Sequence, residues 1–344
     1  MRKLLNTLYI INPDYYLSLE NEAVKITCED GLVGRYPLLN FESIITHGSQ
    51  GMSSALMGKC MRDNIGVVFL SRTGRFQARV SGPTQGNVLL RKAQYRWSDD
   101  QGKSLQIARN IIFSKVHNQR WLLDRYARDH ALVIDTEKIR SKCDSLKKSY
   151  DLIRSATNLE TLRGLEGEAA QQYFSVFNEL ILRQKKEFVL TGRSRRPPLD
   201  RVNCLLSYFY TILTHDIGSA LEAVGLDPYV GFLHRDRPGR MSLALDLIEE
   251  LRSVMVDRVV LSAINRLEVN AKQFLVREDG AVVMDDDARR SVIGIWQKRK
   301  QEKVFHPYFK EKILWGLVPH SQALLLARYI RGDLDGYPPF LHRV

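Results

Sequence analysis

The central part of the sequence reads Gly231-Phe-Leu-His-Arg-Asp-Arg-Pro-Gly-Arg-Met-Ser-Leu-Ala-Leu-Asp-Leu-Ile-Glu-Glu-Leu-Arg252. Pro238-Gly239 predicts a turn in its first half. After Ser242, leucine and isoleucine recur at helical spacing, which predicts a helix with one apolar stripe. Asp246 and Glu249 are three residues apart, so they lie on one face of that helix. The stretch therefore predicts a basic loop followed by a helix that presents carboxylates.

The same stretch combines residue types that bind divalent metal ions and phosphate. His234 precedes a loop that contains three arginines, Arg235, Arg237 and Arg240. An imidazole, carboxylates and several arginines in one short segment indicate a hard metal ion that acts on a phosphate. The alternative is a surface histidine beside a solvated helix face, which is the commoner role of each residue taken alone.

A further acidic residue, Glu166, lies in the motif Gly164-Leu165-Glu166-Gly167. We predict that Glu166 lies at a helix start, where its charge would complement the helix dipole. Together with His234 and Glu249, and with Asp246 adjacent, it would instead supply one nitrogen and several oxygens. Such a ligand set suits Mg²⁺ or Mn²⁺.

The composition is that of a soluble, basic, two-domain protein. The chain has 344 residues and a formal net charge of +12, which favours a polyanionic partner such as nucleic acid. A basic protein without such a partner is the alternative. No apolar run is long enough to span a bilayer and no signal peptide is evident, so we expect no membrane association and a cytoplasmic location. The cysteines show no metal-ligand spacing, which argues against a zinc cluster.

The densest positive tract runs from Arg183 to Arg201 and holds seven basic residues against two acidic ones. Gly192 and Pro197-Pro198 mark it as a loop. Its basic residues Arg193, Arg195 and Arg196 would be able to follow a phosphate backbone. A solvated basic loop without a ligand is an equally good interpretation.

The pattern of short strands and longer helices predicts an α+β protein. Residues 1–84 read as a small β-rich domain, and residues 85–344 as a larger, mostly α-helical domain. The helical part is interrupted by one predicted β-hairpin, Phe274–Arg277 with Ala281–Met284, and Asp285 is predicted to cap the helix that follows.

Several other predictions concern single elements of the helical part. Leu105–Arg128 is predicted to be a scaffold helix, and Gly167–Lys185, Ser242–Asn270 and Phe309–Trp315 are predicted to be helical. The segment Gly336-Tyr337-Pro338-Pro339 is predicted to be mobile.

Four motifs occur in order along the chain, and together they resemble the Cas1 family of CRISPR adaptation integrases over nearly its whole length. They are Gly164-Leu165-Glu166-Gly167, Thr191-Gly192-Arg193, Gly231-Phe232-Leu233-His234 and Leu245-Asp246-Leu247-Ile248-Glu249-Glu250. The chain length and the Arg-Pro-Gly-Arg loop are similar to those of family members from type I-C systems.

The resemblance implies a metal-dependent DNA endonuclease and integrase that inserts new spacers into a CRISPR array. It implies that Glu166, His234 and Glu249 are metal ligands for Mg²⁺ or Mn²⁺ and that Asp246 is an additional acidic residue of the site. It also implies a homodimer, a complex with a Cas2 dimer, and binding of protospacer DNA and the CRISPR repeat. The alternatives are a non-catalytic nucleic-acid-binding protein and a nuclease that only cleaves branched or single-stranded DNA.

Overall fold

Two four-stranded sheets form the amino-terminal region of the computed structural model, which describes residues 6–48, 50–72, 76–82, 88–194 and 197–342. The strands are β1 Thr7–Ile10, β2 Tyr16–Glu20, β3 Ala23–Cys28, β4 Gly31–Pro37, β5 Ser43–His47, β6 Gly51–Met52, β7 Gly66–Leu70 and β8 Phe76–Val80. One sheet has the order β1-β5-β7-β8 and the other has the order β4-β3-β2-β6. Helix α1, Ser54–Arg62, packs on β2 and β7. Leu17, Val24, Leu56 and Val67 are buried in the core of this region.

The rest of the chain is mostly helical. Its helices are α2 Val88–Asp99, α3 Gln101–Asp129, α4 Thr136–Ser155, α5 Leu159–Ser175, α6 Arg201–Ala223, α7 Ser242–Leu251, α8 Arg258–Asn265, α9 Asp286–Gln301 and α10 Val318–Arg331. Two hairpins interrupt them, β9 Phe274–Val276 with β10 Val282–Met284 and β11 Lys303–His306 with β12 Glu311–Leu314. The predicted α+β fold class and the hairpin around residues 274–284 are therefore confirmed.

Side-chain caps determine where several of these helices begin. The residues Asp100, Asp135, Asn158, Asp200 and Asp285 each accept a hydrogen bond from the backbone N–H three positions later. Such a cap satisfies one of the N–H groups that the first helical turn leaves without a partner. The capping function predicted for Asp285 is confirmed.

Helix α3 is the central helix of this region, since it packs against α4, α5 and α7. Its apolar residues, among them Ile107, Ile111 and Leu122, are fully buried. Its buried side also carries Lys115 and Asn118, and most polar groups in such places have hydrogen-bond or ion-pair partners. The helix therefore supplies polar side chains to the interior as well as apolar packing.

Three predicted helices differ from the structure. Helix α5 begins at Leu159, after the Asn158 cap, and ends at Ser175 instead of Lys185. The predicted helix over residues 242–270 is divided into α7 and α8 by a π-helical turn, Arg252–Asp257. The predicted helix Phe309–Trp315 is wrong, because Glu311–Leu314 is a strand that pairs with Lys303–His306.

The carboxyl-terminal segment is well packed, so the prediction of a mobile tail is wrong. Tyr337 and Phe340 are 2% and 0% exposed. The Tyr337 hydroxyl and the Phe340 backbone N–H both donate to the buried carboxylate of Glu250. Ser114 and Asn118 of α3 donate to the Phe340 carbonyl. Glycine and proline at 336–339 exclude regular secondary structure, but the aromatic side chains fix the segment in the core.

Contacts between charged side chains join the β region to the helices. Arg79 of β8 forms an ion pair with Glu222 of α6, and the ammonium of Lys300 lies 3.4 Å from Asp216 and 3.9 Å from Glu42. The predicted domain boundary between residues 84 and 85 lies outside the described residues and stays a prediction. Within the described ranges, no helix has the length and apolar character needed to cross a membrane.

Candidate metal and phosphate site

One buried carboxylate, Asp246, fixes the loop that carries His234. Asp246 is 0% exposed and accepts hydrogen bonds from the backbone N–H groups of Phe232, Leu233 and His234 at 2.6, 3.0 and 2.9 Å. Its Oδ1 also lies 2.7 Å from Nδ1 of His234. An ionised carboxylate only accepts hydrogen bonds, so Nδ1 carries the proton, and in the neutral imidazole the lone pair lies on Nε2. Asp246 therefore fixes the orientation of the ring through Nδ1 and leaves Nε2 free of that contact.

The close approach of this loop to α7 requires glycine at position 231. A Cβ at Gly231 would lie 2.8 Å from Cβ of Ser242 and 3.0 Å from Oδ2 of Asp246. Contacts below 3.0 Å do not occur without a backbone shift, so any larger residue would push the loop away from Asp246. The position of His234 therefore depends on the whole motif Gly231-Phe232-Leu233-His234.

Two further carboxylates, Glu166 of α5 and Glu249 of α7, converge on the ammonium of Lys115. The Lys115 Nζ lies 2.7 Å from Oε2 of Glu249 and forms an ion pair with Oε1 of Glu166. Arg252 lies 3.0 Å from the other oxygen of Glu249. Lys115 and Glu249 are buried, with side chains 5% and 4% exposed, whereas the Glu166 side chain is 29% exposed. Three helices thus meet at one cation.

The electrostatic environment keeps Glu249 ionised. Burial alone would raise the pKa of Glu249, but the positive charges of Arg252 and Lys115 outweigh burial and hold the pKa below its usual value. His234 contributes electrostatically, after burial, Arg252 and Lys115, to the pKa of this carboxylate and lowers it. The prediction that Glu166 lies at a helix start is wrong, because α5 begins seven residues earlier at Leu159.

The donor groups fit a divalent metal ion, although they are not arranged around one in this conformation. Among the described residues, no group of three or more His, Cys, Asp or Glu side chains is placed to hold a metal ion. The reason is local: the ammonium of Lys115 occupies the position toward which Glu166 and Glu249 point. Two carboxylates and an imidazole are ligands that suit Mg²⁺ or Mn²⁺, so the predicted ligand set stays a prediction.

A cavity of about 550 Å³ opens beside Glu166 and Lys115. Arg193 and Arg252 lie in its wall, and the guanidinium of each stacks on the ring of Tyr210, at 5.5 and 5.0 Å from the centroid. Arg193 also lies 5.4 Å from the ring centre of Phe174. Such stacking holds each guanidinium in place. Arg252 is paired with Glu249, whereas Nη2 of Arg193 has no hydrogen-bond partner among the described residues.

The other predicted DNA-binding residues are placed less uniformly. Arg235 and Arg237 are exposed, Arg240 is half-buried, and Arg235 forms an ion pair with Glu160 at 2.5 Å. Arg195 and Arg196 lie outside the described residues. The structure therefore places Arg193 at the cavity and the three loop arginines directly after His234.

Two functional candidates, Lys115 and Arg252, were missed by the sequence analysis. A signal for Lys115 was present, since Ser114, Lys115, Asn118 and Gln119 form a polar cluster at helical spacing within an apolar helix. Arg252 follows the carboxylate helix directly and has no comparable pattern around it.

The fold and the site together define a class of protein, a nucleic-acid enzyme acting on phosphodiesters. A β region precedes a helical region in which Glu166, Arg193 and Arg252 line one cavity, and Glu249 pairs with two of the cations in its wall. Such a donor set serves metal-assisted phosphoryl transfer.

Comparison with known proteins specifies the class further. The family described as "CRISPR associated protein Cas1" matches residues 8–298. CRISPR-associated endonuclease Cas1 1 of Chlorobaculum tepidum is 50% identical over 343 residues, which cover 100% of both chains. The chain belongs to the Cas1 family. The predicted class, a CRISPR-associated endonuclease and integrase of spacer acquisition, is confirmed.

Solved structures share the fold at lower sequence identity. A casposase bound to its integration product has a TM-score of 0.85 and 21% identity, covering 98% of this chain and 95% of the other. A chain of a Cas6-RT-Cas1–Cas2 complex has a TM-score of 0.81 and 22% identity, covering 98% of this chain and 36% of the other.

The buried carboxyl group of Asp257, in the cavity wall, predicts a pH dependence of stability. Asp257 accepts hydrogen bonds from the hydroxyls of Tyr173 and Tyr210, and burial raises its pKa to about 6. The folded state therefore binds this proton more tightly than the unfolded chain, whose aspartate pKa is about 3.9. The resulting stability is complete below about pH 3.9 and is lost as the pH rises through about 6.

As the pH rises from about 4 to about 7, the free energy of unfolding of the native chain should fall because Asp257 ionises. We expect the fall to be about 2 kcal/mol smaller in Asp257→Asn, which has no titrating group at this position. Urea denaturation across this range measures the difference. Asp151→Asn is the control, since the Asp151 side chain is 94% exposed. Parallel pH profiles for the native chain and Asp257→Asn would show that Asp257 is ionised throughout.

Proposed function

We propose that Glu166, His234 and Glu249 bind Mg²⁺ or Mn²⁺ and that this site joins the 3′-hydroxyl of a captured DNA fragment to a phosphodiester of the CRISPR repeat. One observation carries the proposal: Glu166 and Glu249, from different helices, share one cation, and Asp246, one helical turn before Glu249, orients the imidazole of His234. A bound divalent ion would supply charge neutralisation at the reacting phosphate.

The side chains of the chain itself have separate tasks in this reaction. Asp246 keeps the proton on Nδ1 of His234, which leaves Nε2 as a ligand. Arg252 and Lys115 keep Glu249 anionic. The buried thiols of Cys60, Cys143 and Cys204 have pKa values raised by burial, which makes them poor nucleophiles. In this proposal the attacking group is the 3′-hydroxyl of the DNA fragment, and the reaction exchanges one phosphodiester for another.

The arginines provide the binding surface for DNA in this proposal. Arg193 at the cavity binds a phosphate close to the reacting end, and Arg195 and Arg196 continue the basic loop. Arg235, Arg237 and Arg240, which follow His234 in the sequence, bind the DNA backbone in this proposal. Arginine suits this task because its fixed N–H groups bind phosphate oxygens in pairs.

We further propose that the protein acts in the cytoplasm as a homodimer, in complex with a Cas2 dimer, and that it belongs to a type I-C system. The chain shares its fold with one chain of a solved Cas6-RT-Cas1–Cas2 complex, and this likeness supports a Cas2 partner. The length and the Arg-Pro-Gly-Arg loop support the subtype.

Two other functions make different predictions. A non-catalytic adaptor would have no need for Glu249, Lys115 and Arg252 to be buried as ions, an arrangement that costs desolvation energy. A nuclease that only cleaves branched or single-stranded DNA would use the same site. Sequencing the products separates cutting from joining, because only an integrase leaves fragment and array covalently joined.

Replacement of Glu166 tests the catalytic site. We expect Glu166→Gln, His234→Ala and Glu249→Gln to lower strand transfer into a supercoiled array plasmid by more than about 100-fold, since each removes a ligand. DNA binding should change by less than about threefold, and EDTA should act like the substitutions. Glu168→Gln is the matched control, because Glu168 is exposed on the same helix. Native strand transfer by purified Glu166→Gln would refute the site.

Replacement of loop arginines tests the DNA surface. We expect Arg237→Gln with Arg240→Gln to reduce the slope of log Kd against log salt concentration by about 2, because two fewer counterions are released. Fluorescence anisotropy with a short duplex at several salt concentrations measures the slope. Arg128→Gln, at the end of α3, is the control. A slope equal to that of the native chain would assign both loop arginines to solvent.

A further inference from the structure

Lys115 occupies the place where the proposed metal site needs a cation. Its Nζ pairs with both Glu166 and Glu249, and its side chain is only 5% exposed. Metal–oxygen distances for Mg²⁺ are about 2.1 Å. An ion at that distance from both carboxylates would overlap the ammonium, which lies 2.7 Å from Glu249. The metal ion and the ammonium of Lys115 therefore exclude each other at this position.

The charges of the site lead to the same conclusion. Lys115 and Arg252 supply two positive charges, and Glu166 and Glu249 supply two negative charges. A divalent ion added to this balanced set of four groups brings two further positive charges, which the ionised Asp246 offsets only in part, in surroundings that screen charge poorly. The remaining excess falls when the ammonium leaves the carboxylates and a DNA phosphate enters.

A second location for the ammonium exists within the cavity. Gln119 lies one helical turn after Lys115, and both residues line the cavity. The Oε1 atom of Gln119 is buried, and no described residue donates a hydrogen bond to it. Lysine has a flexible four-carbon stem that can move its charge. Oε1 of Gln119 would therefore accept a hydrogen bond from the ammonium of Lys115 once it is displaced.

We propose that Lys115 is an internal competitor of the divalent ion. In the metal-free protein its ammonium holds Glu166 and Glu249 together; when the metal ion binds, the ammonium moves toward Gln119 and binds a phosphate of the DNA end. Metal and DNA then strengthen each other's binding, because both favour the displaced position of Lys115. This inference rests on the metal ligands proposed above.

The alternative is that Lys115 permanently orients the carboxylates, also when metal is bound. The two accounts differ in the sign of one effect. Removal of a competitor tightens metal binding, whereas removal of a support weakens it. Lys115→Met removes the charge and keeps most of the side-chain volume, and Lys115→Arg keeps the charge.

Calorimetric titration with Mn²⁺, without DNA, measures the sign. We expect Lys115→Met to bind Mn²⁺ at least about tenfold more tightly than the native chain, and Lys115→Arg to stay close to native. The Tm of metal-free Lys115→Met should be lower than native, because its two carboxylates repel each other, and Mn²⁺ should raise it more. Lys138→Met is the matched control, since Lys138 pairs with Glu179 and is 46% exposed.

The outcomes distinguish this inference from the proposed function. If Glu166→Gln binds Mn²⁺ like the native chain, the proposed ligand set is wrong. If Glu166→Gln loses Mn²⁺ binding and Lys115→Met binds Mn²⁺ equally or more weakly, only the competitor role of Lys115 is wrong. Should Lys115→Met not fold, the native chain provides the test. A dideoxy-terminated oligonucleotide, which cannot react, should raise native Mn²⁺ affinity at least about tenfold, and an unchanged affinity would overturn the inference.

Discussion

The ion pairs of Lys115 with Glu166 and Glu249 connect the three helices on which the site depends. Lys115 comes from α3, Glu166 from α5 and Glu249 from α7. A buried charge left without its partner costs about 3–5 kcal/mol, so the buried Lys115 and Glu249 depend on each other's helices being in place. The apolar packing of α3 against α5 and α7 provides that placement. The packing of the helical region thus brings the charged groups of the site together.

Helix α7 distributes three neighbouring carboxylates among three tasks. Asp246 faces the loop of His234, Glu249 faces the cation, and Glu250 faces the carboxyl-terminal segment. The environments differ accordingly. Nearby positive charges lower the pKa of Glu249, whereas burial raises the pKa of Glu250 to about 7. Through Glu250 the buried tail residues Tyr337 and Phe340 become supports of the helix that carries the site.

The parts of the fold that local sequence determines were predictable. Alternating strands, helix caps such as Asp285 and the turn residues of the β9–β10 hairpin are signals within a few residues of each other. Glu166, His234 and Glu249 were singled out by residue type and motif, and Asp246 by its spacing on α7; their role as a metal site stays a prediction. Interactions between distant segments were not predictable in this way. The pairing of Lys115 with Glu166 spans 51 positions, and that of Tyr337 with Glu250 spans 87. The tail was predicted to be mobile because Gly336 and the two prolines that follow are typical of irregular segments, whereas the burial of Tyr337 and Phe340 depends on distant residues.

The central claim is that Glu166, His234 and Glu249 share one divalent ion, whose place Lys115 holds in its absence. Crystals of the full chain soaked with Mn²⁺, measured at the manganese absorption edge, locate the ion directly. The account predicts one anomalous peak at about 2.1–2.3 Å from carboxylate oxygens of Glu166 and Glu249 and from Nε2 of His234, with the ammonium of Lys115 displaced toward Gln119. A fully occupied Mn²⁺ elsewhere, with Lys115 still bridging the two carboxylates, would contradict it.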